Sequence, residues 1–312
     1  MKNRPSGRNP ETLAAELLRT LERSGIKARI LAVSRLGELE KEIEKKYREG
    51  LFGEEFYRER LTFFGYSAPG SLPGAKSIIV CAAAQPQVRV AFNSDGKTRY
   101  FLIPPTYSSA TDELARKLIL GVLGPGDYSL ADARIPEKLA AVHSGLAQYG
   151  KNNIAYVEGM GSFCRFKAFF TDLPCPEDHW SEPRADERCN NCRTCAESCP
   201  AGAIAGDRFL IRAERCLTFH NEREGRFPEW IDPSWHNCLI GCMVCQKVCP
   251  LNREFVGWIE DGGEFSEAET GLILRGKAKE ELPAETVLKI KRLYLWEDLE
   301  LLDRNLGVLL HK

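Results

Sequence analysis

Nine of the twelve cysteines fall between positions 189 and 249, in two runs of related spacing. The first run is Cys189-x2-Cys192-x2-Cys195-x3-Cys199-Pro200, and the second ends Cys242-x2-Cys245-x3-Cys249-Pro250. Three thiolates at this spacing wrap three corners of an iron–sulfur cube, and the cysteine before proline ligates a second cube. The crossed arrangement assigns Cys189, Cys192, Cys195 and Cys249 to one [4Fe–4S] cluster. Cys199, Cys242 and Cys245 go to the other, with a fourth ligand from either Cys216 or Cys238. Paired C-x2-C knuckles also hold zinc, but a zinc ribbon needs two pairs, not a triple run closed by Cys-Pro and then echoed. Two neighbouring clusters make a path for single electrons.

The rest of the composition fits that chemistry. A disulfide scaffold belongs to short secreted chains, whereas these cysteines sit in a chain of 312 residues whose polar start, from Met1 to Pro10, lacks a secretory core. No run approaches the roughly 18 apolar residues of a membrane helix, so the cytoplasm is the expected compartment. The net charge of −1 gives no global footprint for nucleic acid. It divides unevenly, with +4 over residues 1–180 and −5 over 181–312.

Positioning those residues requires other elements. Residues 11–23 place Leu13, Leu17, Leu18 and Leu21 on one helical face, and Gly25 ends the helix. Residues 36–48 read as a charged surface helix. The apolar run 77–84 suits a buried strand, 111–120 a helix and 136–146 another with proline in its first turn. Short strands are expected at 154–157 and 163–173. An α/β domain over 1–180 is therefore expected, followed by a ferredoxin-like two-cluster domain over 181–255. A short helical tail over 256–312 carries Leu288, Leu295, Leu299, Leu302 and Leu306, with the Gly/Asp segment 260–264 as a linker. Gly121, Gly124 and Gly126 close a helix rather than open one, so they form no dinucleotide fingerprint. The five histidines show no metal-pair spacing, and Cys81 in its apolar run reads as a packed thiol.

The chain resembles the epoxyqueuosine reductase family over about residues 70–255. The resemblance is carried by Glu137-Lys138, Gly145-Leu146, Gly150-Lys151-Asn152, Gly161-Ser162 and Phe170 to Pro174. It continues through Arg215-Cys216, Gly241-Cys242 and Cys249-Pro250 with Asn252-Arg253. It implies a cobalamin-dependent reductase, in which the N-terminal domain holds base-off cobalamin against substrate and the clusters reduce the cobalt. It also implies Cys216 as the last cluster ligand with Cys238 left as a thiol beside the site, Lys151 and Asn152 as cofactor contacts, and a low-potential electron donor of ferredoxin or flavodoxin type. The family's proton-donating aspartate falls on Ala131 here, one residue before Asp132, the candidate replacement. Arg134 is expected to favour its ionised form. The acidic tail (Glu260, Asp261, Glu264, Glu267, Glu269) does not suit a tRNA backbone, which leaves a paralogue with another substrate in play. The reading from a different class is a non-catalytic electron carrier whose first domain docks a redox partner.

Overall fold

The computed structural model describes residues 8–206 and 208–311. They divide into two compact units, one running up to Ala84 and resuming over Ser109–Asn190, the other made of Gln85–Ser108 and the chain from Asn191 onward.

The first unit is built on a four-stranded antiparallel sheet in the order β1 (Ile26–Ala32), β2 (Ser77–Ala84), β8 (Cys164–Thr171), β5 (Leu130–Asp132). The central pair runs from Ser77 opposite Thr171 to Ala84 opposite Cys164. β2 is apolar throughout because both faces are covered, and its side chains alternate between two cores. Ile79, Cys81 and Ala83 pack with Leu13, Leu17 and Leu21 of α1 (Pro10–Arg23) and Ile119 of α4 (Ala110–Leu123). Ile78, Val80 and Ala82 face Leu36, Leu39 and Ile43 of α2 (Leu36–Arg48) and Leu139 of α5 (Glu137–His143). The charged helix 36–48 is thus half core, with most of its charged side chains on the outer side and Glu42 and Lys46 partly buried. The short helix α3 (Glu54–Arg60) and the pair β6 (Gln148–Tyr149) and β7 (Ala155–Tyr156) complete the unit.

The second unit holds a three-stranded sheet in the order β4 (Lys97–Ile103), β3 (Gln87–Ser94), β9 (Ile259–Phe265). Asp95 and Gly96, at φ 53° and 66°, make the tight turn between β3 and β4, as an Asp-Gly hairpin requires. The Gly/Asp segment expected as a linker is instead strand β9, parallel to β3. Gly262 explains the composition: a Cβ there would lie 2.6 Å from Val88 Cγ1, 2.8 Å from Leu293 Cδ2 and 2.9 Å from Val90 Cγ2. The tail helices α9 (Glu267–Leu274), α10 (Ala284–Arg292) and α11 (Leu299–Leu310) close over this sheet. Leu295, Leu299, Leu302 and Leu306 share a core with Val90, Phe92 and Phe265, while Leu288 is 68% exposed and takes no part. The helical tail is therefore the core of this unit.

Gly262→Ala should cost about 1–3 kcal/mol by overpacking three aliphatic side chains. A lower denaturant midpoint at unchanged slope is the expected observation; an unchanged midpoint would mean that the close approach is not limiting.

Candidate iron–sulfur centre and first-unit site

The second ligand region is assembled by short elements. The helix α6 (Thr194–Ser198) carries Cys195 and ends on Cys199, and α8 (Val244–Lys247) carries Cys245 just before Cys249. α6 packs on α8, so the two cysteine runs lie alongside each other. Cys216 caps the N-terminus of α7 (Leu217–Asn221). Its thiol is pushed up to about 11, chiefly by burial and also by Cys242 and Cys199, against opposing hydrogen bonds from Thr218. Cys242 is likewise raised, first by burial and also by Cys199, against an opposing hydrogen bond from Asn237. The sulfurs of Cys199 and Cys242 have nitrogen donors. Ala203 N–H lies 3.4 Å from Cys199 Sγ, and Asn237 Nδ2 lies 3.2 Å from Cys242 Sγ. Such donors suit sulfurs that carry negative charge as ligands. Cys238 is fully buried, and its thiol donates to Asn237 Oδ1 at 3.2 Å. Among the described residues, no three His, Cys, Asp or Glu side chains gather as a single metal ion would require.

The Cys238–Cys242 loop is pinned from three sides. Asn221 Nδ2 donates to Gly241 C=O at 2.7 Å, and Asn305 Nδ2 donates to Leu239 C=O and Asn221 C=O, both at 2.9 Å. Arg304 Nη2 donates to His220 C=O at 2.9 Å. The buried Tyr107 hydroxyl donates to the Glu222 carboxylate. Gly241, at φ 66°, has no room for a side chain because a Cβ would sit 2.5 Å from Tyr107 Oη. α11 therefore holds the ligand loop as well as the core.

In the first unit, Asp132 ends β5 with its carboxylate 58% exposed. It pairs with Arg116 and, at 3.3 Å, with Lys167. Arg134, expected beside it, instead lies over the Phe63 ring at 5.2 Å. β5 ends at Asp132, so Arg134 lies beyond the strand, and the ionic partners of Asp132 come from α4 and β8. Gly150 lets the Gly150-Lys151-Asn152 turn pass under Tyr156, whose ring would be 2.5 Å from a Cβ. Asn152 is buried, giving its amide to Tyr156 Oη at 2.9 Å and accepting from Ile154 N–H at 3.3 Å. Lys151 Nζ reaches Asn190 C=O at 3.3 Å.

Two further groups, Glu137 of the Glu137-Lys138 pair and His143, gain their partners only in three dimensions. Glu137, at the start of α5, accepts from Ala168 N–H at 3.1 Å. Burial pushes its carboxyl up to about 7, against the pull of Lys167 and of that N–H, so it can exchange a proton near neutrality. His143 is clamped between acceptors: Nδ1 faces Ser181 C=O at 2.9 Å and Nε2 faces Glu42 Oε2 at 2.6 Å. The Trp180 ring stacks on it at 4.0 Å. Burial raises the Glu42 carboxyl, but hydrogen bonds from His143 and Lys46 outweigh it and hold the group at about 2.

Comparison with known proteins decides the cysteine region. Residues 188–252 match the family described as a 4Fe-4S double cluster binding domain. This segment is a double-cluster domain. The chain is 34% identical over 135 residues to an epoxyqueuosine reductase of Yersinia pestis, covering 43% of this chain and 31% of that protein. It is 35% identical over 122 residues to the epoxyqueuosine reductase of Escherichia coli (strain K12), covering 39% and 31%. The matched stretch thus spans about a third of these curated relatives. In fold, the chain is similar to the epoxyqueuosine reductase of Streptococcus thermophilus, with a TM-score of 0.62 and 20% identity over 95% of this chain and 80% of that one. It is also similar to an epoxyqueuosine reductase solved with an epoxyqueuosine-modified tRNA stem loop (TM-score 0.56, 22% identity, covering 79% of this chain and 67% of that one).

The double-cluster domain should hold about eight irons and eight sulfides per chain. Cys216→Ser should lose about half of the iron and Cys238→Ser almost none. Iron and acid-labile sulfide analysis under anaerobic conditions checks this; the reverse result would make Cys238 the ligand.

Glu42 is held below its ordinary 4.5, so its contribution is complete above about pH 4.5 and lost as pH falls through about 2. Glu42→Gln should remove roughly 2–3 kcal/mol at pH 7. The stability gap between the two proteins should close toward pH 2, and a gap independent of pH would contradict the ion pair.

Proposed function

We propose that this chain is an iron–sulfur reductase that resembles epoxyqueuosine reductase and draws electrons through two [4Fe–4S] clusters for a corrinoid-dependent reduction. The observation that carries the reading is the double-cluster match over 188–252, together with 35% identity over 122 residues to an epoxyqueuosine reductase. The eight ligands are Cys189, Cys192, Cys195 and Cys249 for one cluster and Cys199, Cys216, Cys242 and Cys245 for the other. A metal displaces the thiol protons as it binds, which offsets the raised values of Cys216 and Cys242. Cobalamin, when bound, supplies a strongly reducing metal centre, and the protein supplies binding, orientation and protons. Lys151 is the cofactor contact in this reading. Asn152, with its amide engaged by Tyr156 and Ile154, shapes the turn that presents Lys151.

The electron donor in this reading is a low-potential ferredoxin or flavodoxin, and the compartment is the cytoplasm. Among the described residues, no helix is long and apolar enough to cross a membrane. Reducing an epoxide to an alkene expels its oxygen, and protonating that oxygen is worth roughly 10²–10⁴ in rate. Asp132 stands nearest the family's acid position but is tied to Arg116 and Lys167. This favours a paralogue with a substrate other than epoxyqueuosine in tRNA.

Purified protein should therefore bind cob(II)alamin with an EPR spectrum lacking axial nitrogen splitting, and Lys151→Ala should weaken that binding. Turnover of an epoxyqueuosine-modified tRNA stem loop should be slow, and Asp132→Asn should abolish what remains. Absence of cobalamin binding at high concentration would favour an electron carrier instead. Fast turnover unaffected by Asp132→Asn would move the acid role elsewhere, with Glu137→Gln the next variant to measure.

A further inference from the structure

The Asn237 side chain uses every hydrogen-bonding position it has around one cysteine. Its Oδ1 accepts from Met243 N–H at 2.9 Å and from the Cys238 thiol at 3.2 Å. Its Nδ2 donates to Trp235 C=O at 2.9 Å and to Cys242 Sγ at 3.2 Å. A backbone N–H can only donate and a carbonyl can only accept, so Met243 and Trp235 fix which end of the amide is which. The N–H therefore has to point at the Cys242 sulfur. The surroundings prevent escape: Cys238 and Met243 are fully buried, and Asn221 and Asn305 hold the loop between them.

Hydrogen bonds to ligand sulfurs withdraw charge from a cluster and make it easier to reduce. The same amide also accepts from the Cys238 thiol, which holds that sulfur toward Asn237 Oδ1. We propose that Asn237 is a positioning residue that raises the reduction potential of the cluster held by Cys242 and keeps Cys238 out of its ligand set. This rests on Cys242 being a ligand, as the double-cluster reading requires.

The test is an anaerobic EPR-monitored redox titration of the full chain, with iron analysis, for wild type, Asn237→Asp, Asn237→Ala, Cys238→Ala and Cys242→Ser. Asn237→Asp preserves the shape and the acceptor toward Met243 but turns an oxygen toward the sulfur. It should keep about eight irons and weaken the electron affinity of one cluster about tenfold, a potential about 59 mV more negative for one electron. Asn237→Ala should shift the same cluster in the same direction, and Cys238→Ala should keep full iron with the wild-type potential. Unchanged potentials in both Asn237 variants would overturn the proposal, as would loss of a cluster in both, which would make Asn237 a folding residue. Loss of iron in Cys238→Ala would overturn it too. Full iron in Cys242→Ser would instead defeat the ligand assignment beneath the proposal.

Discussion

Bringing buried thiols together before any metal arrives is the constraint on which the second unit depends. Burial first, with neighbouring cysteines adding to it, raises Cys216 and Cys242, so ionising these thiols without a bound cation is costly. Metal binding releases those protons, but only a scaffold that already holds the sulfurs in place can exploit this. The ligand loops are too short and irregular to hold themselves. Their stiffness comes from outside, from Asn221, Asn305, Arg304 and the Tyr107–Glu222 contact.

That dependence explains why residues far apart in sequence belong to one unit. The hairpin of β3 and β4 supplies Val90, Phe92 and Ile103, and the tail helices supply Leu295 to Leu310. Leu239 and Ile240, from the middle of the ligand loop, are buried among them. A core side chain lost from α11 would therefore be felt at Cys242 through Leu239 and Asn305 rather than through any direct contact.

The first unit solves a different problem, supporting polar groups within a sheet covered on both faces. His143 and Glu42 satisfy each other under Trp180, and Glu137 takes the Ala168 N–H just beyond the point where the β5–β8 ladder ends. Environment separates the two carboxyl groups near this edge. Asp132 is exposed and held by two cations, whereas Glu137 is buried deeply enough to sit at about 7.

The sequence by itself determined the cluster chemistry, because ligand spacing around a small cube is a local property that a short loop cannot disguise. It also determined β2, α1, α4 and α5, whose apolar periodicity records the faces they bury. Tertiary structure decided what depends on neighbours remote in the chain. The segment around Gly262 looks like a linker until Val88, Val90 and Leu293 close on it and make glycine the only residue that fits a strand there. The ionic partners of Asp132 come from α4 and β8, while Arg134, two residues on and past the end of β5, lies over Phe63. Cys216 and Cys238 are chemically equal in the sequence. Only the fold shows that Cys216 caps helix α7 while the Cys238 thiol is tied to Asn237, because a thiol's surroundings are set by tertiary contacts.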